Sequence, residues 1–210
     1  MYTPPAFRED DPQTLRQIMR EARLATLVTA TADGLQATPL PLYLVEVEGE
    51  HGTLYGHVAK ANVQWKLSPV GEALAIFSGP DAYVTPSWYA AKKEHGKVVP
   101  TWNYVAVHAH GPVEFFEDAE RLLDVVTRLT DLHEANRPGA WKVTDAPAPF
   151  IQSQLKGIVG LRIPVTRIEG KRKMSQNRSA DDRKGVSAGL ASSERDSDRA
   201  VASLVPLDPG

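Results

Sequence analysis

Residues 100–108 read Pro100-Thr101-Trp102-Asn103-Tyr104-Val105-Ala106-Val107-His108. Aromatic and β-branched residues dominate this stretch, a composition that is typical of β-strands because such side chains pack well on a pleated surface. Two other stretches, 56–62 and 82–89, also combine rings with a strand-like composition. The sequence therefore predicts a fold in which several strands carry aromatic side chains.

Outward from these stretches, the chain shows further short strand patterns, separated by turn residues such as Gly52 and Gly111. The predicted strands cover 24–30, 35–48, 53–59, 73–78, 82–88, 102–117 and 158–168. Helical spacing of apolar residues predicts an amphipathic helix after Asp11, another over 118–135 and a short one over 150–155. Closely spaced short strands are typical of a barrel, so the predicted fold class is mainly β with peripheral helices.

Composition and charge limit the classes of function. The 210 residues are 42% hydrophobic, which is enough for one well-filled core but not for two large domains. A net charge of -2 gives no overall attraction to phosphate backbones. Because the chain contains no cysteine, disulfides, thiolate metal sites and cysteine nucleophiles are excluded. With neither a signal-peptide pattern nor an apolar run long enough for a membrane span, a cytoplasmic protein without membrane contact is predicted.

The ring-bearing stretches also carry cationic and hydrogen-bonding side chains. Rings suit a planar heteroaromatic ligand by stacking, and His57 and Lys60, at the end of a predicted strand, are placed to bind its anionic tail. The candidate binding residues are His57, Lys60, Asn62, Ser87, Trp88, Thr101, Trp102 and Asn103. The alternatives are a half-buried histidine beside a solvated lysine for the first pair, and core packing for each ring.

Two other clusters have weaker functional interpretations. His108 and His110 lie two apart on a predicted strand and share a face, but no third ligand is placed beside them, so no metal site is predicted. The segment 169–184 is rich in lysine and arginine, which suits contact with an anion or nucleic acid. A solvated helix face with a turn is the favoured alternative for this segment. Asp181 is expected to cap a helix there.

In five places the sequence resembles the PaiB family of FMN-binding negative transcriptional regulators, which adopt the split barrel of pyridoxamine phosphate oxidases. The resembling stretches are 1–4, 56–62, 86–89, 98–104 and 169–177. The resemblance implies an FMN-binding split β-barrel over 1–175, which includes the N-terminal and 118–135 helices. Residues 176–210 are expected to form a basic segment, a helix and a tail that pack on the barrel or extend from it.

The same resemblance implies FMN as the cofactor and a homodimer that holds FMN in a groove between subunits, with the phosphate near His57 and Lys60. Pro39 and His110 depart from the family pattern, which has a histidine at the first position and commonly a tyrosine at the second. The predicted function is a flavin-binding transcriptional regulator or a flavin-dependent redox protein. The alternatives are a DNA-contacting repressor without flavin chemistry, and a barrel that has lost FMN and binds another ligand such as haem.

Neither catalysis nor DNA contact is well supported by the residues. Tyr83, Tyr104 and His108 are the candidate proton donors, but a structural role is the better interpretation of each, so no catalytic residue is assigned and enzymatic activity stays open. No helix-turn-helix pattern is visible, and only 171–184 is placed to contact the phosphates of DNA. DNA therefore remains a weakly supported partner.

Overall fold

The computed structural model describes residues 1–22 and 24–207, and these residues form two compact units. The first unit contains residues 1–18, 78–107 and 169–207. The second unit contains the described residues of 19–77 together with 108–168. Each unit is thus assembled from segments that are distant in the sequence.

Strands dominate the described chain, and the predicted fold class, mainly β with helices, is confirmed. The strands are β1 (Arg8–Glu9), β2 (Ala25–Thr31), β3 (Gly34–Leu40), β4 (Leu42–Val45), β5 (Thr53–Ala59), β6 (Ala73–Val84), β7 (Thr101–Gly111), β8 (Glu114–Phe116), β9 (Ile158–Pro164) and β10 (Arg167–Lys173). The α-helices are α1 (Pro12–Glu21), α2 (Ala91–Glu94), α3 (Ala119–Glu134), α4 (Ala148–Leu155), α5 (Ala180–Ala191) and α6 (Asp196–Ala202). None of the helices in the described ranges has the length and apolar character needed to cross a bilayer.

The first unit is built on a sheet in which the order of neighbouring strands is β1, β10, β7 and β6. Arg8 and Glu9 of β1 lie opposite Lys171 and Gly170 of β10 in an antiparallel pair. The buried core of the unit contains residues from this sheet, α5, α6 and their flanking loops: Ala82, Val84, Tyr89, Val105, Met174, Val186, Leu190, Val201, Ala202 and Val205. Burial of this apolar surface is the main force that holds α5 and α6 in place.

The second unit contains a sheet with the strand order β4, β5, β9, β8. It also contains the hairpin of β2 and β3, and β2 pairs with β6 so that Ala25 lies opposite Phe77. Helix α3 begins after Asp118, whose carboxylate accepts a hydrogen bond from the Arg121 N–H at 2.9 Å. The apolar face of α3 packs on the four-stranded sheet in a buried cluster of Phe116, Leu122, Val125, Leu129 and Leu155.

Most predicted elements are confirmed, some with nearly the predicted bounds. β5 covers the predicted residues, and α3 ends one residue before the predicted 135. The two strands predicted over 73–78 and 82–88 are one strand, β6, which runs through Gly79 without a turn. A Cβ on Gly79 would lie 2.9 Å from the Cβ of Val105 in β7, so this glycine permits the close approach of two strands rather than forming a turn.

The segment 169–184 is only in part the solvated helix face with a turn that the sequence favoured, since its second part holds a turn and the start of α5, where Asp181 and Lys184 are exposed. Its first part completes β10, and Lys171 is only 7% exposed. For this first part the prediction was wrong because pairing with β1 and β7, rather than residue composition, decides the strand. Helix α5 begins after Ser179, whose hydroxyl accepts from the Asp182 N–H at 3.2 Å, so Ser179 and not Asp181 is the cap.

Candidate functional site

Lys60 follows the last residue of β5, and an ion pair holds its side chain. Its Nζ lies 2.5 Å from Oε1 of Glu117, with 48% of the lysine side chain and 49% of the glutamate side chain exposed. The backbone N–H of Lys60 donates to the carbonyl of Gly157 at 2.8 Å, which fixes the end of the strand. The charge of Lys60 is therefore met by a carboxylate, although an exposed pair of this kind is weak and can open to an incoming anion.

Asn62 supports the turn after β5. Its Oδ1 accepts from the Gln64 N–H at 2.9 Å, and its Nδ2 donates to Thr38 Oγ1 at 2.9 Å. Gln64 is buried and extends this network, since it accepts from the Thr38 hydroxyl at 2.6 Å and donates to Thr29 Oγ1 at 3.0 Å. The contribution of Asn62 is therefore to hold the turn that carries Lys60.

His57 lies on β5 and faces a cavity of about 320 Å³. The cavity is lined by Pro41, His57, Val126, Leu129, Thr130, His133, Glu134 and Trp141. Nδ1 of His57 is buried and has no hydrogen-bond partner within the described residues. Burial lowers the pKa of the imidazole and so favours the neutral ring.

Ser87 and Trp88 lie in a short 3-10 helix, Pro86–Trp88, which follows β6. Ser87 Oγ accepts from Lys92 Nζ at 3.1 Å at the surface. The ring of Trp88 packs on α5, where a Cβ on Gly189 would lie 2.3 Å from ring atom Cε2. Trp88 therefore packs against the core of the first unit, which is the alternative that the sequence left open for each ring.

Trp102 presents its ring at the surface of the first unit. The side chain is 52% exposed and makes an edge-to-face contact with Tyr83 at a centroid distance of 5.9 Å. Beside the two rings lies an open groove of about 440 Å³. Its lining residues are Ser78, Gly79, Asp81, Trp102, Tyr104, Val105 and Ala106. Exposed rings at a groove of this size can stack on a planar ligand.

The neighbours of Trp102 on β7 bind β10 and the loop after it. Thr101 Oγ1 accepts a hydrogen bond from Lys173 Nζ. Asn103 is fully buried, its Oδ1 accepts from the Ser175 hydroxyl at 3.1 Å, and its Nδ2 has no partner among the described residues. Ser175 has a φ of 62°, a left-handed conformation that is rare outside glycine and is often found near functional sites. Sequence reasoning did not select Lys173, although its spacing of two from Lys171 is a signal that the residues share one face of a strand.

The two departures from the family pattern are compatible with the fold. Pro39 is exposed on β3, opposite Thr26, and β3 ends the strand order of its sheet. Proline is tolerated on an edge strand because one side of such a strand has no neighbour that needs its N–H. His110 lies in the part of β7 that belongs to the second unit.

The candidate residues are divided between the two units. The second unit holds His57, Lys60 and Asn62 together at and just after the end of β5. The first unit holds Ser87, Trp88, Thr101, Trp102 and Asn103. Within the first unit, Trp102 lines the groove, Thr101 and Asn103 hold β10 and its following loop, and Trp88 is a packing residue.

Comparisons with known proteins agree along nearly the whole chain. A family model described as "Putative FMN-binding domain" matches residues 1–167. The Bacillus subtilis protein named protease synthase and sporulation protein PAI 2 is 34% identical over 209 residues, which cover 98% of this chain and 96% of that protein. Protein AN0679 of Emericella nidulans is 30% identical over 241 residues, which cover 98% of this chain and 96% of that protein.

Solved structures resemble the fold at low sequence identity. The FAD and heme binding protein from Mycobacterium smegmatis matches with a TM-score of 0.58 and 14% identity, over 87% of this chain and 80% of that chain. The flavocytochrome Anf3 from Azotobacter vinelandii matches with a TM-score of 0.56 and 16% identity, over 79% of this chain and 69% of that chain. The chain thus belongs to the PaiB family, and its fold is a split barrel.

Proposed function

We propose that this protein binds FMN and that the isoalloxazine ring of FMN stacks at the groove beside Trp102. The observation that carries the proposal is the exposed ring of Trp102, which lines a groove of about 440 Å³ and contacts the exposed ring of Tyr83. Large rings in a folded domain are usually buried, so a ring left exposed at a concave surface favours a ligand site. FMN combines a planar ring system with an anionic phosphate, and its redox chemistry is supplied by the cofactor itself.

The other candidate residues have different roles in this proposal. His57 can give or accept one hydrogen bond, and Lys60 can exchange Glu117 for an anion. Asn62, Trp88 and Asn103 hold the surrounding backbone and are expected to act on FMN only through those positions. Ser87 and Thr101 offer hydroxyl groups near the ends of strands. A homodimer with FMN in a groove between subunits, as the family resemblance implies, is part of the proposal.

A regulatory role, as the names of the family and of the Bacillus relative suggest, is proposed to depend on the flavin rather than on direct DNA contact. Two cations of the segment 171–184 offer DNA no free charge, because Lys171 is buried and Arg172 lies 3.3 Å from Glu9. Lys184 is exposed but lies 3.7 Å from Asp181. A protein with a net charge of -2 also lacks the overall attraction that drives nonspecific DNA binding.

The experiment that tests the proposal is an absorbance spectrum of the purified protein, followed by titration of FMN with detection by flavin fluorescence. We expect saturable quenching by the wild-type protein and about tenfold weaker binding by Trp102→Ala, because a stacked ring contributes roughly 1 kcal/mol or more. Phe150→Ala is the matched control, since Phe150 is also half exposed but lies on α4 in the second unit. No bound flavin and no quenching by the wild-type protein would overturn the proposal.

A further inference from the structure

We propose that Lys171, Lys173 and Arg178 form a binding site for a phosphoryl group in the first unit. The site differs from the position near His57 and Lys60 that the family resemblance implies for the FMN phosphate. The phosphoryl group belongs either to FMN, in which case the inference rests on the proposed function, or to a separate phosphorylated ligand. FMN and a separate phosphorylated ligand would both place an anionic phosphoryl group among these cations, and experiment can distinguish the two.

The strand geometry places two of the three cations together. Lys171 and Lys173 are two residues apart on β10, so their side chains leave the same face of the sheet. Arg172 leaves the opposite face, and its guanidinium lies 3.3 Å from the carboxylate of Glu9. Glu169, the acid nearest in sequence, binds the amino terminus of Met1 at 2.9 Å. The acids around β10 thus have cationic partners other than Lys171 and Lys173.

Lys171 is a buried cation whose hydrogen-bond and ring partners are uncharged. Its Nζ donates to the carbonyl oxygen of Tyr2 at 3.0 Å and lies 5.6 Å and 5.1 Å from the ring centroids of Tyr2 and Tyr104. Ring faces attract a cation but do not neutralise it. No carboxylate of the described residues forms an ion pair with Lys171. A buried charge without a counter-charge is costly to fold around, so an anion at this place would stabilise the unit.

Lys173 is less buried and is held in a fixed position. Its Nζ donates to Thr101 Oγ1 and to the carbonyl oxygen of Trp102, which leaves the third ammonium proton for another acceptor. Burial, followed by the positive charges of Lys171 and Arg178, lowers the pKa of Lys173. Three cations that repel one another in a partly desolvated place are the arrangement that a multiply charged anion relieves.

Arg178, in the loop between β10 and α5, is the third cation of the proposed site, and its positive charge acts on Lys173. Its guanidinium lies over the ring of Tyr89 at 4.6 Å. The loop is bent by the left-handed conformation of Ser175 and is tied down by Gln176, whose Oε1 accepts from the Met174 N–H at 2.6 Å. A planar guanidinium with several donors, next to two ammonium groups, suits the several oxygens of a phosphoryl group better than a single carboxylate.

The cation cluster adjoins the proposed ring groove through direct contacts. Lys173 binds the backbone of Trp102, and Lys171 lies against Tyr104, while both aromatic residues line the groove. Asp81 also lines the groove, and it is the acid that an anionic ligand must avoid. A ligand with its ring system in the groove can therefore direct a phosphoryl group away from Asp81 and toward the lysines.

The test uses Lys173→Gln, which removes the charge and keeps most of the side-chain length, with Lys184→Gln as the matched control. Lys184 lies in the same basic segment, but on exposed α5 surface. FMN and riboflavin are titrated by fluorescence, and inorganic phosphate and pyrophosphate are titrated by calorimetry. We expect Lys173→Gln, but not Lys184→Gln, to weaken phosphoryl binding at least about tenfold, as loss of a charged hydrogen bond does. Arg178→Gln is a second variant, and circular dichroism checks the fold of each.

The outcomes distinguish the sources of the phosphoryl group. Weaker FMN binding with unchanged riboflavin binding would place the FMN phosphate at this site. Weaker phosphate or pyrophosphate binding with unchanged FMN binding would indicate a separate phosphorylated ligand, and this result would stand even if the wild-type protein bound no flavin. Unchanged binding of all four probes by the folded Lys173→Gln and Arg178→Gln variants would overturn the inference. Salt-sensitive binding of duplex DNA that Lys173→Gln and Lys184→Gln weaken equally, without loss of phosphate binding, would also overturn it.

Discussion

At the scale of single residues, His57 shows how burial sets chemistry. Its Nδ1 is buried without a partner among the described residues, and burial lowers the pKa of its imidazole below the usual 6.5. The neutral form is therefore the one that the folded protein tolerates. A ligand that offers one hydrogen bond to Nδ1 would remove the penalty of an unsatisfied polar atom, whereas a proton would add a buried charge.

The lowered pKa of His57 predicts how the free energy of unfolding depends on pH. Because the folded-state pKa of His57 is depressed, the unfolded chain takes up a proton first as the pH falls below about 6.5. The contribution of His57 to stability is complete above that pH and is lost as the pH falls through the folded-state pKa. Urea unfolding measured between pH 8 and pH 5 should show a smaller loss of stability on acidification for His57→Gln than for the wild type. Identical pH dependence of the two proteins would contradict the predicted burial effect.

At the scale of single residues, the sequence shows which side chains are charged but not which partners they contact in the folded protein. The pattern around Lys60 correctly predicts a lysine at the end of β5, but only the structure shows that Glu117 accompanies it. Lys171 and Lys173 read as solvated charges in the sequence, because lysine is rarely buried. Their burial depends on Tyr2, Tyr104 and Thr101, which are distant in the sequence and near only in the folded unit.

At the scale of elements, strands rich in apolar residues, such as β5, can be predicted from the sequence. The charged strand β10 cannot. β5 has the predicted bounds because its apolar and aromatic composition agrees with its place inside a sheet. β10 has five charged residues among the seven of Arg167–Lys173 and exists because it pairs with β1 and with β7. The partners β1 and β7 are distant from β10 in the sequence, and composition does not show which strands pair, so the pairing that brings the lysines together could not be predicted.

The contact of α5 with Trp88 gives a prediction for an element. A Cβ on Gly189 would lie 2.3 Å from the Trp88 ring, so Gly189→Ala should destabilise the protein by about 1–3 kcal/mol, despite the better helix propensity of alanine. In a Trp88→Leu background the ring is gone, and the same substitution should cost much less. A double-mutant cycle by urea unfolding measures this coupling. Additive effects of the two substitutions would mean that the ring and the helix do not meet as described.

At the scale of the whole molecule, the distribution of charge favours a small anionic ligand over a nucleic acid. The net charge is -2, and within 171–184 Lys171 is buried while Arg172 and Lys184 are paired with acids, so these three cations are not free charges at the surface. A DNA surface needs many exposed cations that release counterions together. A phosphoryl group needs only a few cations that are already fixed, and the first unit supplies these beside a groove with exposed rings.

Binding of FMN should therefore be measurable as stability of the whole protein. A ligand that binds only the folded state at 100 times its Kd adds about 2.7 kcal/mol to the free energy of unfolding, which for a protein of this length is a rise in Tm of roughly 5–10 °C. Thermal melts with increasing FMN should show this rise in the wild type, and Trp102→Ala should need about ten times more FMN for the same shift. Riboflavin separates the two parts of the ligand, because a smaller shift with riboflavin than with FMN at equal concentration measures the phosphate contribution. A Tm that is independent of FMN, in a protein whose absorbance shows no tightly bound flavin, would mean that the exposed rings serve another ligand.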